Sequence, residues 1–482
     1  MGVVDAGRFL DEFRPFRRGE IALARRALDE PLWLPPAELD VLRYAVRLAQ
    51  LTSLGADPDL LVDRIASFRL RLLQLLAPVL PTDPRAIEAG ELHRLLPRVV
   101  YLVEGARRAV AESGIASTDE LDTEIAHKRL ALVLGGAAGS GYVFLGVLRR
   151  LEQLGLEPSY LVGCSMGSLL GVVRARMPRF DLEELYDEFG RLRASAVFRP
   201  PAPTARFGLP AALRLDLRQA LGDLFVGTHG EPLRLRDLHI PTDTLATGLG
   251  PGALTRPPDE YAHLVDVGLD AVVGRAKLGG GAVTRLVSGL VSLAISRQVL
   301  VPITLGGDPE TAELPALDAA GFSAAIPMVL HYDLPVGDTV AAPILETIFK
   351  RHDLSALVDG ALVSLIPARY AWQALEGGRI GSRNYALVAL DAMSTPGGAG
   401  RLLAPLQRVI AATAHRDGAF WDLRVHFRRT PPLFEIFPSE SRLRRAADNG
   451  EREFESTGRL LRQLLSPLMP WAQSSVRIPP WD

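Results

Sequence analysis

Two glycine-rich turns contain the residues of this chain that are best suited to chemistry. The first, Gly135–Gly141, reads GGAAGSG, and the second, Gly163–Gly167, reads GCSMG and fits the pattern G-x-S-x-G. A serine at such a strand-to-helix turn exposes its hydroxyl, so Ser165 is a candidate nucleophile. The same residues also fit an ordinary turn with a capping serine, and the short pattern alone is weak evidence.

The neighbours of Ser165 favour the nucleophile. Gly163 and Gly167 are the small residues that a strained turn requires, and the helix after them offers N–H groups to a developing oxyanion. The first turn fits neither G-x-G-x-x-G nor a phosphate-binding loop, because Gly136, Gly139 and Gly141 have other spacings and no Lys-Ser/Thr pair follows. We therefore expect its main-chain N–H groups to bind an oxyanion.

A nucleophilic serine needs a base, and Asp359 is the candidate that the sequence offers. None of the nine histidines lies in a small-residue turn. Asp359 follows the apolar segment Ala356–Val358 and precedes Gly360, so its carboxylate should emerge at the end of a strand. A partly desolvated carboxylate can have a raised pKa and act as a general base. Asp-Gly is also a common turn pair, and the residues alone leave both interpretations open.

Alternating elements must position these side chains. Apolar runs predict strands, and apolar residues at three- and four-residue spacings predict helices. The predicted strands are Leu130–Leu134, Tyr160–Val162, Ile240–Gly248, Ala356–Val358 and Leu387–Leu390. The predicted helices are Ile21–Leu28, Ala37–Leu51, Leu60–Leu76, Phe144–Leu154, Leu182–Leu192, Leu213–Phe225, Leu402–Ala412 and Glu451–Leu465.

Three further segments complete the predicted organisation. Residues 1 to about 127 show no convincing strand and predict a helical region, for which a structural role is the simplest interpretation. Phe198–Leu209 is rich in proline and predicts a loop. Ala282–Leu305 is mostly apolar, but its charge-free runs are shorter than the ~18 residues that span a membrane, so it predicts a buried or lipid-facing amphipathic helix.

Composition narrows the class of protein. The chain has 482 residues, 48% of them hydrophobic, which suffices for a large core and two or three domains. A formal charge of −2 gives no electrostatic reason to expect nucleic-acid binding. The single cysteine, Cys164, excludes an internal disulfide and a Cys-rich metal site. The first 20 residues lack the apolar stretch of a secretory signal, so we expect a cytoplasmic protein.

Taken together and in this order, the motifs resemble the patatin-like phospholipase family. That family has a glycine-rich oxyanion turn, a G-x-S-x-G turn and a D-G-G or D-G-A turn. The matching segments here are Gly136–Gly141, Gly163–Gly167 and Asp359–Ala361. Ala246–Gly248 and Ser323–Pro327 are similar to two secondary segments of the family.

The resemblance implies an α/β fold, three-layered α/β/α with a mostly parallel central sheet, plus the N-terminal helical region. The implied divisions are 1–127 for that region, 128–395 for the catalytic core and 396–482 for its helical and irregular C-terminal part. It implies a lipid acyl hydrolase of the phospholipase A, lysophospholipase or acylglycerol lipase type. Its substrate would be a lipid ester, met at a membrane or lipid-droplet surface, and it would need no cofactor or metal.

The resemblance also assigns roles to residues. Ser165 would be the nucleophile and Asp359 its sole side-chain partner. The main chain of the first turn would form the oxyanion hole, and four further glycines would support the motifs. The implied oxyanion residues are Gly136, Ala137, Ala138 and Gly139, and the supporting glycines are Gly141, Gly163, Gly167 and Gly360.

This chain departs from the family pattern in the first turn. Ala137 and Ala138 stand where the family has glycines, and Ser140 stands where it has a basic residue. An alanine at a position with positive φ is unfavourable by about 1 kcal/mol or turns an N–H away. Removing one oxyanion donor lowers turnover by about 10²–10³. The storage-lipid lipase branch of the family is similar in having small residues here and no basic residue.

Two alternative functions remain open from the sequence. One is an α/β-hydrolase esterase with a Ser-Asp-His triad, in which Asp359 would pair with His415 or His426. The other is a non-catalytic lipid-binding protein with a patatin-like fold, which the substitutions in the first turn would explain.

Overall fold

The computed structural model describes most of the chain. It covers residues 5–54, 58–80, 83–201, 205–227, 230–254, 257–263, 281, 285, 288–289, 299–393, 416–433 and 435–471. These residues fall into two compact units, one within Met1–Leu130, Trp372–Ala386 and Ser456–Asp482, the other within Ala131–Ala371 and Leu387–Glu455. The predicted divisions at 127/128 and 395/396 stay predictions.

The first unit is helical. Its helices before the first strand are α1 (Ala6–Arg8), α2 (Arg14–Asp29), α3 (Pro36–Gln50), α4 (Pro58–Arg64), α5 (Ala66–Leu76), α6 (Ala89–Glu112) and α7 (Thr118–Ala126). A π-helix, Phe9–Phe13, joins α1 to α2. The amphipathic helices share one apolar core that includes Leu42, Leu72 and Val99. This arrangement confirms the predicted N-terminal helical region.

The second unit is built on strands and the helices between them. The strands are β1 (Arg129–Leu134), β2 (Tyr160–Cys164), β3 (Phe198–Arg199), β4 (Leu213–Leu215), β5 (Thr242–Leu249), β6 (Leu300–Leu305), β7 (Leu330–His331), β8 (Ala356–Asp359), β9 (Tyr385–Asp391) and β10 (Leu423–His426). The helices are α8 (Val143–Gln153), α9 (Met166–Arg176), α10 (Leu182–Arg191), α11 (Ala194–Val197), α12 (Leu217–Leu221), α13 (Ala316–Ser323) and α14 (Ala341–His352). Four elements contribute residues to both units: the strands β1 and β9, and two helices, α15 (Ala368–Glu376) and α16 (Glu440–Leu465).

The main sheet has the strand order β10-β9-β1-β2-β5-β6, and β8 also pairs with β5. The pairs β10/β9, β1/β2 and β2/β5 are parallel, whereas β6 and β8 run antiparallel to β5. Strands of a parallel sheet are covered on both faces, and Leu130–Leu134 of β1 are accordingly all buried. The structure is thus mixed α/β with a mostly parallel central sheet, and this architecture confirms the predicted fold class.

Two predicted helices are partly wrong. Leu213–Leu215, the start of the predicted helix Leu213–Phe225, is strand β4 in a second sheet of order β3-β4-β7. Three residues are too few to show the two-residue period of a strand. The end of the predicted helix Ala282–Leu305 is strand β6, which contains Pro302. A proline without an N–H is tolerated there because β6 is an edge strand.

Some predictions fall outside the described residues. They are the helix Leu402–Ala412 and most of Ala282–Val299. Among the described residues, no helix is long and apolar enough to cross a membrane.

Candidate active site

Two strands meet end to end along one edge of β5. Strand β2 pairs with the first half of β5, where Cys164 is opposite Leu245, and β8 pairs with the second half, where Asp359 is opposite Ala246. Because β6 occupies the other edge along Thr244–Leu249, β2 and β8 must share the same edge. They run in opposite directions, so the residues at their ends face each other across one short gap.

Ser165 lies in that gap, on a strained turn between β2 and α9. Its backbone has φ 54° and ψ −126°, the conformation of the first central residue of a type II′ turn, which glycine adopts most readily. The turn passes very close to the end of β1, since a Cβ on Gly167 would lie 2.1 Å from the carbonyl oxygen of Leu134. Only glycine fits there. The turn aims the Ser165 side chain at the end of β8.

The Ser165 hydroxyl donates a hydrogen bond to Asp359. The distance from Oγ to Oδ2 is 2.6 Å, and both residues are buried, at 5% and 4% exposure. The other carboxylate oxygen of Asp359 accepts from the N–H of Ala361 at 2.8 Å. Burial raises the pKa of Asp359 to about 6, although the hydrogen bonds from Ser165 and Ala361 oppose the increase.

The main chain around Asp359 is held by the two secondary segments noted in the sequence. The N–H of Asp359 donates to the carbonyl of Ala325, and its own carbonyl accepts from the hydroxyl of Thr247, both at 2.9 Å. Gly360 follows in a space without room for a side chain, because a Cβ would lie 2.0 Å from the carbonyl oxygen of Leu245. The Asp-Gly pair is therefore fixed in position by β5 and by the Ser323–Pro327 segment.

The first glycine-rich turn lies against Ser165, but two of its N–H groups are already used. Gly136 donates to the carbonyl of Leu365 and Gly139 to that of Leu433, both at 2.8 Å. Within the described chain, no acceptor is seen for the N–H groups of Ala137 and Ala138, which start the short 3-10 helix Ala138–Tyr142. Of the four implied oxyanion residues, Ala137 and Ala138 are therefore the two whose N–H groups are available to a substrate.

The alanines of this turn differ in backbone strain. Ala137 has φ −151°, which any residue adopts, whereas Ala138 has φ 40° in the left-handed region that favours glycine. A segment near residue 435 fixes the turn from the other side. Ser140 donates to the carbonyl of Pro431 at 3.0 Å, and a Cβ on Gly139 would lie 2.4 Å from the carbonyl oxygen of Glu435.

A pair of serines beneath Ser165, Ser323 and Ser168, was not predicted from the sequence. The N–H of Ser165 donates to Ser323 Oγ at 3.0 Å, and Ser323 Oγ donates to the carbonyl of Leu245 at 2.6 Å. Ser168 Oγ lies 2.7 Å from Ser323 Oγ and must donate to it, because the Ser323 proton is already used. Ser323 is the first residue of the Ser323–Pro327 segment, whose resemblance to the family was the available signal.

The histidine candidates do not join this cluster in the described part of the chain. His426 lies on β10, and its Nδ1 is 3.0 Å from Oδ2 of Asp391. Three strand spacings, about 14 Å, separate β10 from β2 across the sheet. His415 lies outside the described residues. Among the described residues, no group of three or more His, Cys, Asp or Glu side chains could hold a metal ion.

Comparison with known families agrees with this geometry. A family model described as "Patatin-like phospholipase" matches residues 132–372, half of the chain, and this range contains both Ser165 and Asp359. The chain therefore belongs to the patatin-like phospholipase family, a family of lipid acyl hydrolases. A search of curated proteins finds no significant match.

Proposed function

We propose that this protein hydrolyses carboxylic esters of lipids through an acyl-Ser165 intermediate, with Asp359 as the general base. The observation that carries the proposal is the 2.6 Å hydrogen bond from the Ser165 hydroxyl to Asp359 in a buried site. The reaction is that of a phospholipase A, lysophospholipase or acylglycerol lipase.

The first half of the reaction acylates the serine. Ser165 Oγ attacks the ester carbonyl carbon while its proton moves to Oδ2 of Asp359. The carbonyl oxygen becomes an oxyanion, which the N–H groups of Ala137, Ala138 and Met166 stabilise. Met166 is the first residue of α9, so its N–H has no partner within the helix. When the C–O bond breaks, Asp359 returns the proton to the leaving alcohol oxygen.

The second half releases the fatty acid. Asp359 takes a proton from a water molecule, whose oxygen attacks the acyl carbon and forms a second oxyanion at the same donors. Collapse of that intermediate breaks the bond to Ser165 Oγ, which regains its proton from Asp359. A pKa near 6 suits both steps, because a base with a pKa close to the operating pH can accept and return a proton.

We also propose that the lipid is met at a membrane or lipid-droplet surface. The most exposed large apolar side chains of the first unit, Leu32 at 90%, Leu70 at 59% and Tyr101 at 70% exposure, are the candidates for contact with such a surface. Sedimentation with liposomes tests it: the wild type should bind, and the triple variant Leu32→Ser, Leu70→Ser, Tyr101→Ser should bind more weakly. Equal binding of the two proteins would contradict this part of the proposal.

The experiment for the hydrolase itself is a lipid panel analysed for released fatty acid. The panel contains phosphatidylcholine, lysophosphatidylcholine, a monoacylglycerol and a triacylglycerol. We expect the wild type to release fatty acid from at least one of these lipids. The rate of release should fall by about 10³-fold or more in Ser165→Ala and in Asp359→Asn. Ser441→Ala, at an exposed serine of α16, is the matched control and should keep full activity.

Three outcomes would contradict the proposal. Activity that survives in both variants would exclude the Ser165–Asp359 mechanism. Loss of activity in His415→Ala or His426→Ala would favour the Ser-Asp-His alternative. Liposome binding without release of fatty acid from any lipid would favour the non-catalytic alternative.

A further inference from the structure

A groove on the first unit is lined by arginines that the fold leaves without partners. It lies between α4, α5 and α6 and has a volume of about 250 Å³. Arg64 at the end of α4, Arg71 on α5 and Arg108 on α6 all line it, and all three are exposed. In the part of the chain that the structure describes, their guanidinium groups have neither an ion pair nor a hydrogen bond. The groove therefore presents three cations whose donors are free.

One carboxylate, that of Glu104, also lines the groove, but other residues already engage it. Its Oε1 accepts a hydrogen bond from the indole N–H of Trp471. Its Oε2 lies 3.7 Å from Nη1 of Arg107, which does not line the groove. Three arginines against one glutamate make the groove positive, although the whole chain has a formal charge of −2. A concave surface of this charge attracts an anion.

The size and the surroundings of the groove narrow the kind of anion. Guanidinium groups bind phosphate through paired N–H donors. The volume is below the ~300–1,000 Å³ of sites that enclose a drug-sized ligand, so it suits a phosphate group rather than a whole lipid. Tyr101, which lines the groove, and Leu70, which precedes Arg71 on α5, are 70% and 59% exposed. Tyrosine and leucine beside arginines suit a surface where phosphates border hydrocarbon, which is the surface of a membrane.

We propose that this groove binds the phosphate group of an anionic phospholipid in a membrane surface. The inference rests on the lipid hydrolase proposed above and specifies the surface at which it works, namely one that contains anionic phospholipids. The three guanidinium groups donate to the phosphate oxygens. The ring of Tyr101 lies among the head groups, and Leu70 contacts the start of the acyl chains.

Two variants of equal charge test the role of the arginines. The groove variant is Arg64→Ala/Arg71→Ala/Arg108→Ala. The control variant removes three exposed, unpaired arginines of the same unit that do not line the groove, Arg18→Ala/Arg25→Ala/Arg85→Ala. Sedimentation with vesicles of phosphatidylcholine and phosphatidylglycerol measures binding. The groove variant should bind about 100-fold more weakly than the wild type, because the contributions of three arginines at an anionic surface add, and the control should lose less than about threefold. Vesicles of phosphatidylcholine alone should bind all three proteins equally weakly.

A second pair of variants tests the groove itself, since diffuse attraction of surface charges to a membrane needs no groove. Gly105 lines the groove, and Gly90 lies on the same helix outside it; a Cβ on either would meet no atom within 4 Å. Gly105→Gln puts a neutral side chain into the groove and favours the helix, so the fold should be kept. It should weaken binding to the anionic vesicles about tenfold, because the phosphate no longer reaches all three guanidinium groups. Gly90→Gln should bind like the wild type.

Failure of this inference can be told apart from failure of the proposed function. Equal vesicle affinity of the groove and control variants, or of Gly105→Gln and the wild type, would overturn the site. It would also be overturned if the groove variant lost affinity for soluble glycerol 1-phosphate in calorimetry but kept its vesicle binding, because the groove would then take a free phosphate. The kcat/KM for p-nitrophenyl butyrate, a soluble ester, should be the same in all these variants. If no ester is hydrolysed but anionic vesicles bind through the groove, the site stands and the hydrolase fails.

Discussion

At the scale of single residues, the site depends on one carboxylate kept away from water. Burial raises the pKa of Asp359 to about 6, while Ser165 and Ala361 donate hydrogen bonds to it. The sequence indicated Asp359 through its position at a strand end. It could not give the extent of burial, which depends on segments far away along the chain. The raised pKa has consequences for both activity and stability.

Activity should follow the ionisation of Asp359. Only the carboxylate can accept the Ser165 proton, so kcat/KM should rise with pH and level off above about 6. Below that pH, the logarithm of kcat/KM should fall with a slope of one. Initial rates with a soluble ester between pH 4 and 8 test this prediction. A flat profile through pH 6 would contradict the assigned base.

The contribution of Asp359 to the free energy of unfolding should fall as pH rises, whereas activity should rise. The pKa of Asp359 is higher in the folded state than its ordinary value of 3.8, so its contribution to stability is largest below pH 3.8 and is lost as pH rises through about 6. Asp359→Asn removes this ionisation; its amide oxygen can still accept from the N–H of Ala361, and its NH2 group can donate to the Ser165 hydroxyl. It should be more stable than the wild type by about 3 kcal/mol at pH 8 and equal to it near pH 3.5.

Urea unfolding of both proteins at the two pH values measures the difference. Asp422→Asn, at a half-exposed aspartate, is a control that should show no comparable gain at pH 8. If Asp359→Asn were less stable than the wild type at pH 8, ionisation of Asp359 would not destabilise the folded protein. That result would contradict the prediction.

At the scale of elements, the site exists because β2 and β8 end against each other on β5. The three motifs, and strands close to β2, β5 and β8, were predicted from the sequence. The meeting of Ser165 and Asp359, which are 194 residues apart, was implied only by resemblance to the family. The pairing of β8 with β5 depends on the tertiary fold, and no local pattern in Ala356–Asp359 encodes its partner.

Ser323 is predicted to be the residue that joins these elements. It lies at the end of α13 and links the Ser165 N–H to the carbonyl of Leu245 on β5. Ser323→Ala should destabilise the protein by about 2–3 kcal/mol, because a buried donor and a buried acceptor both lose their partner. Turnover should fall about tenfold, with little change in KM, since Ser165 would be less firmly positioned.

Ser168→Ala is the matched control for Ser323→Ala. Both serines are fully buried, but the Ser168 hydroxyl contacts Ser323 and no main-chain group in the hydrogen bonds described. Its removal should destabilise by only about 1 kcal/mol. Thermal unfolding and steady-state kinetics of both variants give the comparison. Equal effects of the two substitutions would show that Ser323 has no special role.

At the scale of the whole molecule, the first unit has a buried charge cluster of its own. Glu20 lies 2.6 Å from Arg47 and 3.1 Å from Lys128, and the exposure of all three side chains is 3% or less. Arg43 and Arg47 also donate to the carbonyl of Leu464 near the end of α16. In the sequence these arginines alternate with the apolar residues of α3, and no local pattern shows that they are buried. Their burial follows from partners that only the fold brings together.

This cluster supports a structural role for residues 1–127, which we propose. Burial alone would raise the pKa of Glu20, but Lys128, Arg47 and Arg43 outweigh it and lower that pKa to about 2. Glu20→Gln leaves buried cations without their anion and should destabilise by about 3–5 kcal/mol at pH 7. The difference from the wild type should shrink as pH falls from about 4.5 towards 2, because the wild type then loses the same charge.

Denaturant unfolding at several pH values measures this effect. Glu12→Gln, at an exposed ion pair with Arg8, is the control and should change stability by less than about 1 kcal/mol. If both substitutions had equally small effects, the Glu20 cluster would not stabilise the first unit.

Ser165, activated by Asp359, is the proposed nucleophile on which the whole mechanism depends. The most direct test is the site of covalent modification by an alkyl fluorophosphonate, located by peptide mass mapping of the whole 482-residue chain. We predict one adduct on Ser165, absent in Ser165→Ala and formed much more slowly in Asp359→Asn. An adduct on another residue, or no adduct on the folded wild type, would contradict the account.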